Sequence, residues 1–136
     1  MILAIDPGKH QIGWAITKRT SLYKCGLYPF DKLSDLYHWV KACNPDVLVV
    51  EVPRVYKNRT PRPNDIVDLG LVAGACIAAG NNKIIKVYPN EWTNRVKKEI
   101  RQPRLLKRLS PGELALIPKQ DHNIIDAIGL LKYITD

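Results

Sequence analysis

The sequence predicts an α/β fold in which the sheet opens with an antiparallel meander and continues with a parallel strand, with helices packed on it. Three observations carry this. Two apolar runs, Ile2 to Ile5 and Ile12 to Ile16, flank a turn at Asp6-Pro7-Gly8. A stretch of helical periodicity from Asp31 to Cys43 separates this pair from a third, β-branched run, Asp46 to Glu51. Both the first and the third run end on a carboxylate.

In order along the chain, Ile2 to Ile5 reads as a buried strand that stops on Asp6. Burying an anion at the end of a core strand is costly unless something pairs with it, and a metal ion is the usual partner. Asp-Pro-Gly by itself also serves as an ordinary turn. The run Ile12 to Ile16 is its antiparallel neighbour, and Ser21 to Tyr28 alternates well enough to complete a meander closed by Pro29. From Asp31, residues Leu33, Leu36, Tyr37, Val40 and Cys43 line one helix face, with Asp31 suited to cap the start and Asn44-Pro45 to end it. A crossover helix makes the next strand, Asp46 to Glu51, parallel to the first, so that Asp6 and Glu51 share one sheet edge.

After Glu51 comes a basic, proline-punctuated segment with Arg54, Lys57, Arg59 and Arg62 and no acid among them. It suits contacts to phosphates, with Tyr56 available to stack on a base. Asn64 is positioned to cap a helix from Asp65 to Ala79, where Leu69, Ala73, Cys76 and Ile77 can face the sheet. Gly70, Gly74 and the alanines weaken its helix propensity but admit a close neighbour, either the sheet or a second copy of the chain. Gly80-Asn81-Asn82 turns into a fifth strand, and Pro89 to Ile100 reads as a helix with Trp92 and Val96 on one side.

Arg95, Lys97, Lys98, Arg101, Arg104, Lys107 and Arg108 stand against the single Glu99, the most basic stretch of the chain and a candidate phosphate-binding surface. A loop is expected from Ser110 to Pro118 around Leu114 to Ile117. Asp121 then caps a helix running to about Ile134. His122, Asn123 and Asp126 can share one face of it, while Ile124, Ile125, Ile128, Leu130 and Leu131 make the rest apolar.

Composition bounds the function. A chain of 136 residues with 46% hydrophobic and 25% charged residues is expected to form one domain with its own core. The formal charge of +8 points to a polyanionic partner, nucleic acid first. Three cysteines without CxxC spacing read as reduced thiols of a cytosolic protein. No run approaches the roughly 18 apolar residues of a membrane span, and no signal-peptide pattern opens the chain.

ILAIDPGKHQIGWAI, DVLVVEVP and DHNIIDAIGLL, in this order and at this spacing, resemble the three acidic motifs of the RuvC family of Holliday-junction resolvases, within the ribonuclease H-like superfamily. The likeness covers nearly the whole chain. It implies a mixed five-stranded sheet (a three-stranded antiparallel meander plus two parallel strands) flanked by helices, and one nuclease domain over residues 1–136. It also implies a homodimer that cuts two like-polarity strands of a four-way DNA junction with divalent metal. Carried over by motif, the metal-binding acids are Asp6, Glu51 and Asp126. Family members put an acid or a His about one turn before the last Asp. Here His122 is the choice, Asp121 the fallback, and Asn123 also adjacent. Where the family carries an aromatic wedge after the Glu, this chain has Arg54 and Val55 first and Tyr56 as the nearest ring.

The chemistry suits these residues. Two Mg²⁺ ions about 4 Å apart, with Mn²⁺ as a substitute, can activate water and stabilise the leaving 3′-oxygen, and carboxylates suit such hard ions. Asp6 would bridge both ions, Glu51 and Asp126 would each hold one side, and His122 would bind or orient the water. Two alternatives remain in view: a related nuclease acting on branched DNA or structured RNA, such as the YqgF-like branch, and a non-catalytic nucleic-acid-binding relative. A cytoplasmic or nucleoid-associated protein is expected, with phage, organellar or mobile-element origins equally compatible.

Overall fold

The computed structural model describes residues 1–57 and 62–136; Arg59, one of the expected phosphate contacts, lies outside the described residues. Strands β1 (Ile2–Asp6), β2 (Gln11–Lys18) and β3 (Ser21–Pro29) form the antiparallel meander. Helix α1 (Leu33–Cys43) leads to β4 (Val47–Glu51), and α2 (Pro63–Ala79) leads to β5 (Lys83–Val87). The sheet order is β3-β2-β1-β4-β5, with β4 parallel to both β1 and β5. This is the mixed five-stranded sheet that the sequence led us to expect.

Side-chain alternation assigns each strand residue to a face. On β1 and β4, Leu3, Ile5, Leu48 and Val50 pack with Leu36 and Val40 of α1 and with Val72, Ala73 and Cys76 of α2. Ala4 and Val49 point the other way, into a second core built with Ile124, Ile125, Ile128 and Leu131. The same period of two sends Asp6 and Glu51 to that second face. β1 and β4 are in register through Ile5 opposite Val50, so the next step up the two strands sets Asp6 beside Glu51.

Four helices cover this face: α3 (Pro89–Thr93), α4 (Lys98–Arg108), α5 (Pro111–Ala115) and α6 (His122–Thr135). The single helix expected over Pro89 to Ile100 is in fact two. Asn94 and Arg95 both adopt left-handed backbone, with φ of 50° and 59°, which ends α3 and redirects the chain before α4 begins. The segment expected as a loop holds α5, whose Ser110 and Glu113 cap each other's backbone N–H groups. Two caps also differ. Lys32 rather than Asp31 precedes α1, its N–H donating to Asp35, and α2 starts on Pro63 after Arg62, so that Asn64 lies inside it.

Helix α2 turns Val72, Ala73, Cys76 and Ala79 inward. Gly70 and Gly74 face outward, where an added Cβ would meet nothing, beside Val67 and Leu71, which are 59% and 54% exposed. Of the small residues, Ala73 and Ala79 therefore serve helix-on-sheet packing, whereas Gly70 and Gly74 do not. No helix among the described residues is long and apolar enough to cross a membrane.

Candidate active site

Three carboxylates from three elements meet at the end of the parallel strands. Asp6 closes β1, Glu51 closes β4, and Asp126 projects from the second turn of α6. Asp6 and Asp126 are only 6% and 7% exposed. Helix α6 can start this near β1 because Gly13, opposite Asp6 across the β1–β2 ladder, has no side chain. A Cβ there would fall 2.1 Å from the backbone oxygen of Asn123. A glycine within an apolar strand is the sequence sign of such an approach.

Burial pushes the Asp6 carboxyl well above the usual carboxylate range, and the neighbouring charges of Glu51 and then Asp126 push it further. Burial likewise raises Glu51; the indole N–H of Trp92 offsets this in part, and Asp126 adds to it. The acids thus lie near enough to repel one another, in surroundings that disfavour their charge. All-oxygen donors of this kind fit a hard divalent cation. As they stand, no three His, Cys, Asp or Glu groups among the described residues converge on one ion-sized point.

Cations of α4 explain where Asp126 points instead. Arg101 Nη1 lies 2.6 Å from Asp126 Oδ1, Gln102 Nε2 donates to the same oxygen at 3.0 Å, and Lys98 Nζ is 3.6 Å from Oδ2. Residues 98, 101 and 102 share one face of α4 by the i, i+3, i+4 rule. The Arg101 guanidinium also lies 4.4 Å from the ring centroid of Trp92. Trp92 in turn is pressed on Gly129 of α6, where a Cβ would sit 2.6 Å from the indole. Trp92, Gln102 and the Arg101–Asp126 pair were not legible as site features, because their contacts join elements far apart in the chain: α3 to β4 and α4 to α6.

Of the residues near the last acid, His122 is exposed on the first turn of α6 and accepts at its backbone oxygen from Gln102. Asp121 is engaged as the N-cap, accepting from Asn123 N–H at 2.8 Å. Asn123 is half-buried, its amide Nδ2 being 3.9 Å from where a Gly8 Cβ would stand.

The basic residues fall in two groups. Arg54 stacks on Tyr88, and Lys57 and Arg62 are exposed. The Tyr56 hydroxyl is tied to Asn90, donating to Oδ1 and accepting from the backbone N–H, which fixes that ring at the start of α3. Arg95, Lys97, Lys98, Arg104, Lys107 and Arg108 are exposed along α4 and the turn before it, and only Arg101 is turned inward. A cavity of about 360 Å³ between α3, α4 and α6 is lined by Trp92, Arg101, Arg104, Arg108 and Lys132.

The sheet order and the helices on its two faces give this chain the fold of three solved Holliday-junction resolvases. Among solved structures, the chain is similar to Thermus thermophilus RuvC in complex with a Holliday junction substrate, with a TM-score of 0.70 and 16% identity over 97% of this chain and 90% of that one. It is also similar to the fowlpox virus resolvase bound to junction DNA (TM-score 0.60, 18% identity, 96% and 94% covered). A third match is the yeast mitochondrial resolvase Ydc2 (TM-score 0.60, 11% identity, 98% and 77% covered). No protein-family model and no curated protein matches the sequence.

Proposed function

We propose that this chain, as one nuclease domain, is a metal-dependent endonuclease that resolves four-way DNA junctions by paired phosphodiester hydrolysis. The observation that carries the reading is the meeting of Asp6, Glu51 and Asp126 at one sheet edge, flanked by the cationic face of α4. The fold shared with three junction resolvases supports it. Asp6, Glu51 and Asp126 would hold two divalent ions, Mg²⁺ or Mn²⁺. When bound, such ions make water acidic enough to attack near neutral pH and neutralise the charge that develops on the leaving oxygen.

The chain's own groups supply the rest. Trp92 orients Glu51 through its indole N–H, and burial keeps water from competing for the carboxylates. His122 orients the attacking water, and Asn123, with its amide beside Gly8, is the neighbour that would take over that role. Exposed Arg54, Lys57 and Arg62, with Arg95, Lys97, Lys98, Arg104, Lys107 and Arg108, hold the phosphates of the junction arms. Two copies joined through the outward stripe Val67, Gly70, Leu71 and Gly74 of α2 would cut two strands together. A soluble enzyme acting wherever junction DNA is found, cytoplasm, nucleoid or organelle, fits this reading.

Cleavage of a synthetic four-way junction in Mg²⁺, Mn²⁺ or EDTA, beside duplex, single-stranded and RNA–DNA hybrid controls, tests it. The wild type nicks the junction in symmetric pairs. Asp6→Asn abolishes nicking and leaves binding intact or tighter, since an anion has left a phosphate site; normal cleavage by that variant overturns the assignment. His122→Ala loses most activity, whereas an unchanged rate transfers its role to Asn123 or Asp121. Cutting of hybrids or RNA alone would keep the metal site and change the substrate.

A further inference from the structure

We propose that Arg101 is a built-in competitor for the metal at Asp126: it holds this carboxylate until an ion displaces it, and the released guanidinium then serves the scissile phosphate. The inference rests on the nuclease reading above. Four observations support it. The guanidinium and the amide of Gln102 both take Asp126 Oδ1, at 2.6 Å and 3.0 Å, so this oxygen is already engaged before any ion arrives. The side chain is only 15% exposed, so its charge is held inside the acidic cluster rather than on the rim. Among the described residues, its Nε is buried without a hydrogen-bond partner, leaving a donor for a ligand that α4 itself does not provide. Its flat face rests on Trp92, and it borders the cavity of about 360 Å³ between α3, α4 and α6, so the guanidinium is not packed in on every side.

A cation that neutralises a carboxylate lowers that carboxylate's affinity for a second cation by the amount of their mutual exclusion. A divalent ion arriving at Asp126 therefore meets an incumbent, and its binding frees a fork of N–H donors suited to a phosphate's oxygens. Lys98, 3.6 Å away and exposed, adds to the competition but makes no comparably close contact.

The test measures Mn²⁺ binding by the loss of the free-ion electron paramagnetic resonance signal, on the full chain without DNA. Arg101→Gln binds Mn²⁺ about tenfold more tightly than wild type, and Arg101→Lys, which keeps a cation on the helix, falls between the two. Thermal melting of each variant in EDTA and in Mn²⁺ shows that it is folded. At saturating Mn²⁺ the Arg101→Gln enzyme nevertheless turns over more slowly, with kcat reduced more than KM is raised, a split that a merely structural role would not give. Equal or weaker Mn²⁺ binding by a cooperatively melting Arg101→Gln overturns the competition, and an undiminished kcat overturns the phosphate role. If neither wild type nor variant takes up Mn²⁺, the metal-site reading itself fails and this inference with it.

Discussion

At the scale of single residues, the site borrows from stability. Asp6 is a carboxyl set into the core beside two others, a cost to stability that the proposed metal site would account for. A second buried polar residue has no such purpose in view: Thr17, 1% exposed on β2, has no hydrogen-bond partner for its hydroxyl among the described residues. Thr17→Val, which keeps the shape and removes the unpaired group, should raise stability by about 1 kcal/mol in urea unfolding and leave cleavage unchanged. The three strand-end and helix acids were legible in the sequence because each follows or interrupts an apolar run, where a charge has to be explained. Trp92 and Arg101 were not. Nothing local marks an indole that hydrogen-bonds a glutamate 41 positions earlier in the chain, or an arginine whose partner lies on another helix.

At the scale of elements, the meander, both parallel strands, α1 and α6 follow from hydrophobic period and turn chemistry, and the structure has them within a residue or two. Helix α4 was hidden because Pro103 sits inside it, and a proline reads from sequence as a helix break. Short α5 is a clamp. Glu113 accepts from the backbone N–H of Leu22 on β3 at 2.9 Å and pairs with Lys132 of α6 at 2.8 Å. Burial pushes its carboxyl up, but Lys132 and the N–H groups of Leu22 and Ser110 more than offset this and hold it down at about 2. A depressed carboxyl contributes stability that is present above its unfolded value of 4.5 and lost as the pH falls towards 2. Glu113→Gln should therefore cost about 1–2 kcal/mol at neutral pH, and its melting temperature should fall less than that of the wild type over this acid window. For α2, Leu71→Asp should turn a dimer into a monomer by sedimentation and convert paired nicks to unpaired ones. A wild type that sediments as a monomer would remove that seam from the proposal.

At the scale of the whole molecule, the two sheet faces divide the work. One, covered by α1 and α2, is apolar packing with an outward stripe. The other carries the acids and, on α4, the cations that give the chain much of its excess of 21 basic over 13 acidic residues. The logarithm of junction affinity should accordingly fall linearly with the logarithm of salt concentration. Replacing Arg104 and Arg108 by alanine should reduce that slope by about 1 for each phosphate that is no longer neutralised, across all junction sequences alike. Tryptophans are split between the faces too: Trp14 and Trp39 lie with their ring centroids 5.7 Å apart on the α1 side, whereas Trp92 alone touches the acidic site. Its emission is open to quenching by a carboxylate on its N–H and to change when the guanidinium over its face departs. With Trp14 and Trp39 exchanged for phenylalanine, the protein becomes its own optical sensor, one that signals events at the acidic edge without any label attached to the protein or the DNA.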